Sequence, residues 1–579
     1  MWWQQNKKRN TVLAAAFIVL LAFFLRVYKV ASYPAGFSLD EISQGYSAYS
    51  ILKTGKDEWG ARVPLAPRAF GDYRSPLYTY LTIPSIFVFG LGKFAIRFPS
   101  VLFGTLAVLS TYLFANRLLG DKKLALLSAF FLAISPWHTM LSRGAFEPSL
   151  TVFLTTMAIW LFLAGFKRPV LLIFSAFAFG INMFSYFAPR LLMPVIVAVL
   201  FWYFRKEIFK EKIINLKRRF VAFIAVFGFF LLLSFITMAS GAKTRVSDTA
   251  IINPTDNWRE LSFLQYEGRV LGLRPEIERI FNNKATYVAR QFVRNYLGYF
   301  SFEFLFTKGP AEATYGMIPG NGVLYLFELP LILFALYKIF IDKEKFVDKE
   351  KKEWLLLALL LLLSALPAAL AKGERAANRA SSMLPYFQIL SAFGFISLAE
   401  SFKRFAKEKK YRFYRLCLVG TSVVIILSSF IFYFEDYVYH APVQNAKNMG
   451  YGWEEISLFL RNNPQYSKVV VSKKFGEPQI ALAYYLGLDP NFIQKESPAW
   501  LNYEKMGFSF VDQQPFYKMG KYEFRSFNFP EDKRLWDTLF IGKAEDFAGN
   551  PGVIKTIVYY PGQDKEIAFE AVEYEHEEE

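Results

Sequence analysis

Apolar stretches of about twenty residues recur along most of the first 434 positions, divided by short clusters of lysine and arginine, and this constrains the fold more than any other feature. At about 1.5 Å per residue, a helix of that length crosses the hydrocarbon core of a bilayer. The runs lie at 11–30, 98–118, 123–141, 149–166, 169–187, 190–205, 219–239, 322–341, 353–371, 382–399 and 412–434, which predicts about eleven spans. Composition agrees: 54% of the 579 residues are hydrophobic and 63 are Phe, more apolar than water alone supports as solvent. The formal charge of +18 is carried by clusters between the runs, as membrane topology requires; with no groove-reading motif beside it, nucleic-acid binding is not expected. The single cysteine, Cys417, excludes an intrachain disulfide and a cysteine metal cluster.

The first run follows Lys7, Lys8 and Arg9 and lacks a small-residue cleavage site, so it reads as a retained signal anchor with the N-terminus in the cytoplasm. The apolar segment 77–92 is set apart as a juxtamembrane or re-entrant helix. Counting it as a span would put later basic clusters on the wrong side. Outside the cytoplasm then lie the loops 31–97, 142–148, 240–321 and 372–381, the turn 187–190, and everything after about residue 435. That tail, 435–579, reads as a small α/β domain, with a helix near Trp453–Arg461 and strands at Lys468–Ser472 and Val553–Tyr560. Its acidic end, Glu573–Glu579, is expected to be disordered. The fold class is therefore an α-helical polytopic membrane protein of the plasma membrane: a transmembrane domain over 1–434 and an extracytoplasmic α/β domain over 435–579.

Polar chemistry gathers on the predicted outer face. In Ser38-Leu39-Asp40-Glu41, two carboxylates follow the first span, where either could act as a general base on a reactant arriving from the membrane plane. Ser38 and Glu41 also match a helix capping box, and both readings stand at this point. Arg74 has a planar fork suited to phosphate, or it snorkels at the interface. Arg97 is expected as an interfacial anchor at the start of the next span. The turn 135–147 brings His138, Arg143 and Glu147 to the same surface, with His138 and Glu147 as candidate ligands for a divalent metal. Arg190 and Arg379 stand at outer span ends, where the positive-inside rule disfavours them; an anionic ligand in a cleft would explain both, as would structural ion pairs.

Asp40-Glu41 with Tyr46, Arg74-Ser75-Pro76-Leu77-Tyr78, Arg97-Phe98-Pro99-Ser100, and Ser142-Arg143 with Glu147 together resemble glycosyltransferase family 39 and its bacterial relatives. These are protein O-mannosyltransferases and lipid A aminoarabinose transferases with the GT-C fold. The resemblance covers about the first 400 residues in motif order. It implies transfer of a sugar from a polyprenyl-phosphate donor to an acceptor hydroxyl of a protein, lipid or glycan, with inversion and no nucleotide site. It also implies that Asp40 is the base with Glu41 as its neighbour, and that Glu147 positions substrates or a metal. Arg74 stands where many relatives carry lysine, and Arg190 and Arg379 resemble arginines that hold the lipid phosphate. Two other classes fit an outer cavity: a transporter or flippase of lipid-linked saccharides, and a non-catalytic envelope-assembly protein. The paired broken helices of inverted-repeat transporters are not evident, nor is a Walker loop, a dinucleotide fingerprint or an HExxH motif.

Overall fold

The computed structural model describes residues 2–69, 72–210, 214–239, 250–310, 318, 320–342, 348–373, 375–405, 408–508, 510–532, 534–535, 537–547, 552–560 and 566–574. Residues 240–249, 311–317 and 319 of the loop 240–321, and most of the acidic end, 575–579, lie outside the described residues.

Helices α1 (Trp2–Val27), α2 (Leu39–Thr54), α3 (Pro76–Phe89), α4 (Lys93–Leu119), α5 (Lys122–Ile134), α6 (Pro136–Leu141), α7 (Pro148–Gly165), α8 (Leu171–Asn182), α9 (Phe187–Tyr203), α10 (Arg205–Lys210) and α11 (Ile214–Thr237) build the first half. Among the described residues, seven helical segments are long and apolar enough to cross a membrane: Arg9–Val27, Lys93–Leu119, Pro148–Gly165, Leu216–Thr237, Lys351–Ala369, Ser381–Ser401 and Leu416–Gln444. This is a multi-pass membrane protein. The outer faces of α1, α11 and the helix Glu408–Glu435 expose rows such as Phe17, Leu20 and Phe24, or Leu427, Ile431 and Phe432, for which lipid is the matching solvent.

The other expected spans are shorter helices. The run 123–141 divides into α5 and α6 because Ser135 closes the first helix and Pro136, which has no N–H to give, opens the second. The runs 169–187 and 322–341 contain helices of 12 and 13 residues, and the run 190–205 falls mostly in α9, which starts at Phe187 and has 17. α3, expected beside the membrane, has 14 residues, or about 21 Å at 1.5 Å per residue, too short to span.

The C-terminal part carries a six-stranded mixed sheet in the order β4-β5-β3-β6-β8-β7. Its strands are β3 (Lys468–Ser472), β4 (Phe516–Met519), β5 (Tyr522–Arg525), β6 (Thr538–Gly542), β7 (Val553–Val558) and β8 (Ile567–Glu573); β1 (Arg68–Ala69) and β2 (Asp72–Tyr73) form a separate hairpin in the first loop. β3 lies parallel to β5 and β6, and the other pairs are antiparallel. The predicted helix appears as Trp453–Asn462, and the two predicted strands as β3 and β7.

The sheet does not hang free of the membrane part. Phe37, Ile42 and Tyr46 from the first loop share one buried core with Trp453, Ile456, Ile480 and Tyr484. The contact is closest at Gly36, whose φ is +80° and where a Cβ would fall 2.4 Å from the Met449 carbonyl oxygen, so only glycine fits. Next to it the Phe37 N–H donates to the same oxygen at 2.6 Å.

Candidate functional site

The site begins at the N-terminus of α2. Ser38 caps the helix: its Oγ accepts from the Glu41 N–H at 3.3 Å, and Glu41 Oε2 accepts from the Ser38 N–H at 3.2 Å, which completes the capping box. The helix stops where Gly55 adopts the left-handed conformation. The cap turns the two adjacent carboxylates to opposite environments. Glu41 is fully buried and meets Arg97 through a fork, with Arg97 Nε on Oε1 at 2.8 Å and Nη2 on Oε2 at 3.0 Å; the Ala145 N–H also donates to Oε1 at 2.8 Å. Asp40 stays 55% exposed.

Arg97 corrects the expectation of an interfacial anchor. α4 begins at Lys93, which places Arg97 a full turn inside the helix and facing the cap of α2, with no exposure. Its remaining donors satisfy the carbonyls of Val30, Pro34 and Gly36. Arg74, at the N-terminal edge of α3, is likewise no snorkelling residue. It is 4% exposed, and it donates through Nη1 to the Asp40 carbonyl and through Nη2 to Asp40 Oδ1, both at 2.7 Å. One buried cation thus fixes the backbone and one carboxylate oxygen of Asp40 and leaves the exposed side toward solvent.

One helical turn after Asp40, Gln44 donates from Nε2 to Glu147 Oε1 at 2.9 Å. That bond draws Glu147, at the start of α7, to the face of α2 that carries Asp40. Asp40, Arg74, Gln44 and Glu147 therefore form one group; Gln44 was missed in the sequence, where its i+4 spacing from Asp40 was the available signal.

The other predicted residues lie elsewhere. Tyr46 points at the C-terminal part and donates to the Leu488 carbonyl at 2.8 Å. Arg143, 1% exposed, clamps the end of α1: it donates to the carbonyls of Leu25, Arg26, Tyr28 and Tyr33 and to the Tyr437 hydroxyl. It serves as a C-terminal helix cap and offers no surface to a ligand. His138 is buried with its Nδ1 2.7 Å from Arg26 Nη2, another residue unsuspected in the sequence; a guanidinium only donates, so Nδ1 accepts and the proton sits on Nε2. His138 and Glu147 share no metal set. Among the described residues, the grouping of three ligand-type side chains is Glu435, Asp436 and His440. Arg190 donates from Nε to the Met183 carbonyl and stacks over Phe187, and Arg379 donates to the Lys372 carbonyl. Their turns are tied by Asn378 Nδ2, which donates to the Tyr186 hydroxyl at 3.1 Å.

Residues 73–231, beginning one position before Arg74, match the family model described as dolichyl-phosphate-mannose-protein mannosyltransferase. Over that stretch the chain is similar to protein mannosyltransferases. The resemblance read in its motifs is borne out to that extent. Solved structures with a similar course include the oligosaccharyltransferase AglB from Archaeoglobus fulgidus, in complex with an inhibitory peptide and a dolichol-phosphate. It is 16% identical with a TM-score of 0.49, covering 83% of this chain and 64% of AglB, so this chain spans less than two thirds of that protein. ArnT from Cupriavidus metallidurans bound to undecaprenyl phosphate is 11% identical, TM-score 0.47, covering 98% of each chain. The protein O-mannosyltransferase Pmt1-Pmt2 complex of S. cerevisiae bound to the sugar donor is 17% identical, TM-score 0.32, covering 40% of this chain and 34% of that one. No curated protein matches the chain.

Behind the group lies a buried carboxyl the sequence did not flag. Glu58 accepts from Ser47 Oγ at 2.8 Å; burial and the neighbouring Asp57 push its pKa up to about 8, against the pull of Ser47 and Arg74. A carboxyl raised on folding keeps its proton while the unfolded chain loses it. Its stabilising contribution is thus complete below the ordinary carboxylate range and is lost as pH rises toward 8. The melting temperature in detergent should fall across pH 5 to 8, and Glu58→Gln should flatten that slope; an unchanged slope would remove Glu58 from the account.

Proposed function

We propose that the chain is a glycosyltransferase that moves a sugar from a polyprenyl-phosphate donor to an acceptor hydroxyl on the extracytoplasmic face, with inversion and with Asp40 as base. The observation that carries this is the contrast within Asp40-Glu41: Glu41 is consumed by Arg97, whereas Asp40 is exposed and held through Oδ1 by a buried arginine. In the reaction, Asp40 takes the acceptor hydroxyl proton as the acceptor oxygen forms its bond to the anomeric carbon. The bond from that carbon to the phosphate oxygen breaks, and polyprenyl phosphate leaves with the electron pair. Arg74 is a positioning residue for Asp40. Glu147 and Gln44 flank the same face, and no step is routed through a metal. The match to a family named for a dolichyl-phosphate-mannose donor supports the donor class. The test is incubation of purified protein with radiolabelled polyprenyl-phosphate sugars, which should release free polyprenyl phosphate; no release with any sugar would refute the reading.

In this reading the division falls after residue 434, with the N-terminus in the cytoplasm and the C-terminal part outside. Tags after residue 120 and within 343–352 should be reached only from the cytoplasm, and a tag after residue 440 only from outside. A cytoplasmic C-terminal tag would remove the catalytic face.

Arg190 and Arg379, whose turns are joined through Tyr186 and Asn378, are assigned to the departing lipid phosphate. A charge-assisted contact is worth about 1.5 to 3 kcal/mol, so Ala at either position should weaken donor affinity by about ten- to a hundredfold, with Lys intermediate. Purely structural arginines would instead lower the melting temperature and leave the affinity of the folded fraction intact.

A further inference from the structure

Past the span Leu216–Thr237 the chain forms three helices, Pro254–Val270, Pro275–Phe281 and Lys284–Gly298. In water, an amphipathic helix turns its apolar face toward the core. These three do the reverse. On the first, Phe263, Tyr266 and Val270 stand at i, i+3 and i+7 and form one exposed row; on the second, Ile277, Ile280 and Phe281 do so at i, i+3 and i+4; on the third, Val293 and Leu297 do so at i and i+4. Leu271, in the turn between the first two, is 89% exposed. Inward positions go to polar groups instead. Glu278 has no exposure and lies against Gly268, where a Cβ would be 3.2 Å from its Cγ, and the buried Tyr287 donates its hydroxyl proton to Glu260. Apolar rows on three successive helices exceed the scattered single side chains of a surface that faces water, and they match an apolar partner.

The anchoring of the segment identifies that partner. Both of its ends are pinned at one place: the Ile251 N–H donates to the Leu370 carbonyl at 3.0 Å, and Asn295 Nδ2 donates to the carbonyls of Ala369 and Ala371. Ala369 ends the apolar span Lys351–Ala369. Tyr296 reaches further, its hydroxyl donating at 3.0 Å to the Leu362 carbonyl, which lies seven residues, or about 10 Å, back along that span. The third helix therefore sinks below the end of the span, and its exposed row continues the lipid-facing surface that carries Leu355, Leu362 and Leu370. Arg259, Arg269 and Arg279 stand beside the rows, with Trp258 and Tyr266 among them; such side chains, apolar along the body and polar at the tip, suit the boundary between acyl chains and head groups. Glu260 and Glu267 alternate with the arginines, so the segment matches the apolar layer and not lipid charge.

We propose that residues 254–298 form an amphipathic wedge immersed in the leaflet at that end of the span, the outer leaflet in the topology proposed above, with the exposed rows about 5–10 Å below the head groups. Its immersion is independent of the reaction and of the role of Asp40.

Cys417→Ser removes the single cysteine and gives a background for site-specific probes. On it, Phe263→Cys, Leu271→Cys and Ile280→Cys are labelled one at a time with bimane in full-length protein held in phosphatidylcholine nanodiscs, and Lys505→Cys, exposed on the C-terminal part, is the aqueous reference. A lipid with a nitroxide high on its acyl chain should quench the three wedge probes about threefold or more above the reference, and aqueous iodide should quench the reference about threefold or more above them. Adding phosphatidylglycerol should change neither result; lipid quenching that arises only with phosphatidylglycerol would overturn the apolar basis of the contact. Wedge probes open to iodide and untouched by the lipid nitroxide would overturn the immersion. Probes shielded from both quenchers would overturn it too, because a second copy or another part of the chain then covers the face. Three probes, on two helices and the turn between them, keep the test decisive if one variant misfolds.

Discussion

Asp40→Asn should lower the turnover of purified protein by about two orders of magnitude or more while leaving its melting temperature unchanged. The substitution keeps the shape of the side chain, and an amide oxygen still accepts from Arg74 Nη2, so the buried guanidinium keeps a partner. The change removes the ability to take a proton. Because Asp40 is more than half exposed, its burial contributes little to the fold, and any loss of activity reports on chemistry. Single-turnover release of polyprenyl phosphate is the measurement, since it isolates the chemical step from product release. Near-normal release by the Asn variant would end the assignment of Asp40.

The largest effect on stability is expected at Arg97. Glu41 and Arg97 have no exposure, and removing the cation strands a carboxylate in the interior, which costs about 3 to 5 kcal/mol. Arg97→Ala should therefore fold poorly or melt far below the wild type. Glu41→Gln should be milder, because the amide oxygen still accepts from the guanidinium. Replacing both residues by Met removes both charges and should recover part of the loss, but not all of it: the carbonyls of Val30, Pro34 and Gly36 would lose their donor. The melting temperatures of the three variants in one detergent decide the matter. A double Met variant that melts no higher than Arg97→Ala would show that stranding the Glu41 carboxylate is not the cause of the loss.

The membrane-spanning character was legible because one length scale, the bilayer thickness, is written directly into the sequence as runs of about twenty apolar residues. Counting runs could not foresee the break at Ser135-Pro136, where a capping side chain and a missing N–H end one helix and start another inside a single apolar stretch. The group around Asp40 was partly legible, since Asp40 and Arg74 stand in recognisable motifs. Arg97 and Arg143 were misplaced for a shared reason. Hydropathy treats a guanidinium as bound to the surface, yet five donors in a fixed fork satisfy several carbonyls at once where a chain turns out of a helix, and that makes burial affordable.

The seat of Gly36 on Met449 sets an order of events during synthesis. Tyr46 is held by a carbonyl 442 residues further along the chain, and Phe37 by the carbonyl of Met449, which follows the last long apolar helix. A ribosome delivers the loop around Asp40 early and the groups that seat it near the end. Until the last helix has been made and the sheet has docked, Phe37 and Tyr46 lack the carbonyls of Met449 and Leu488 that hold them, so a truncated chain stranded in the membrane leaves the loop around Asp40 unseated.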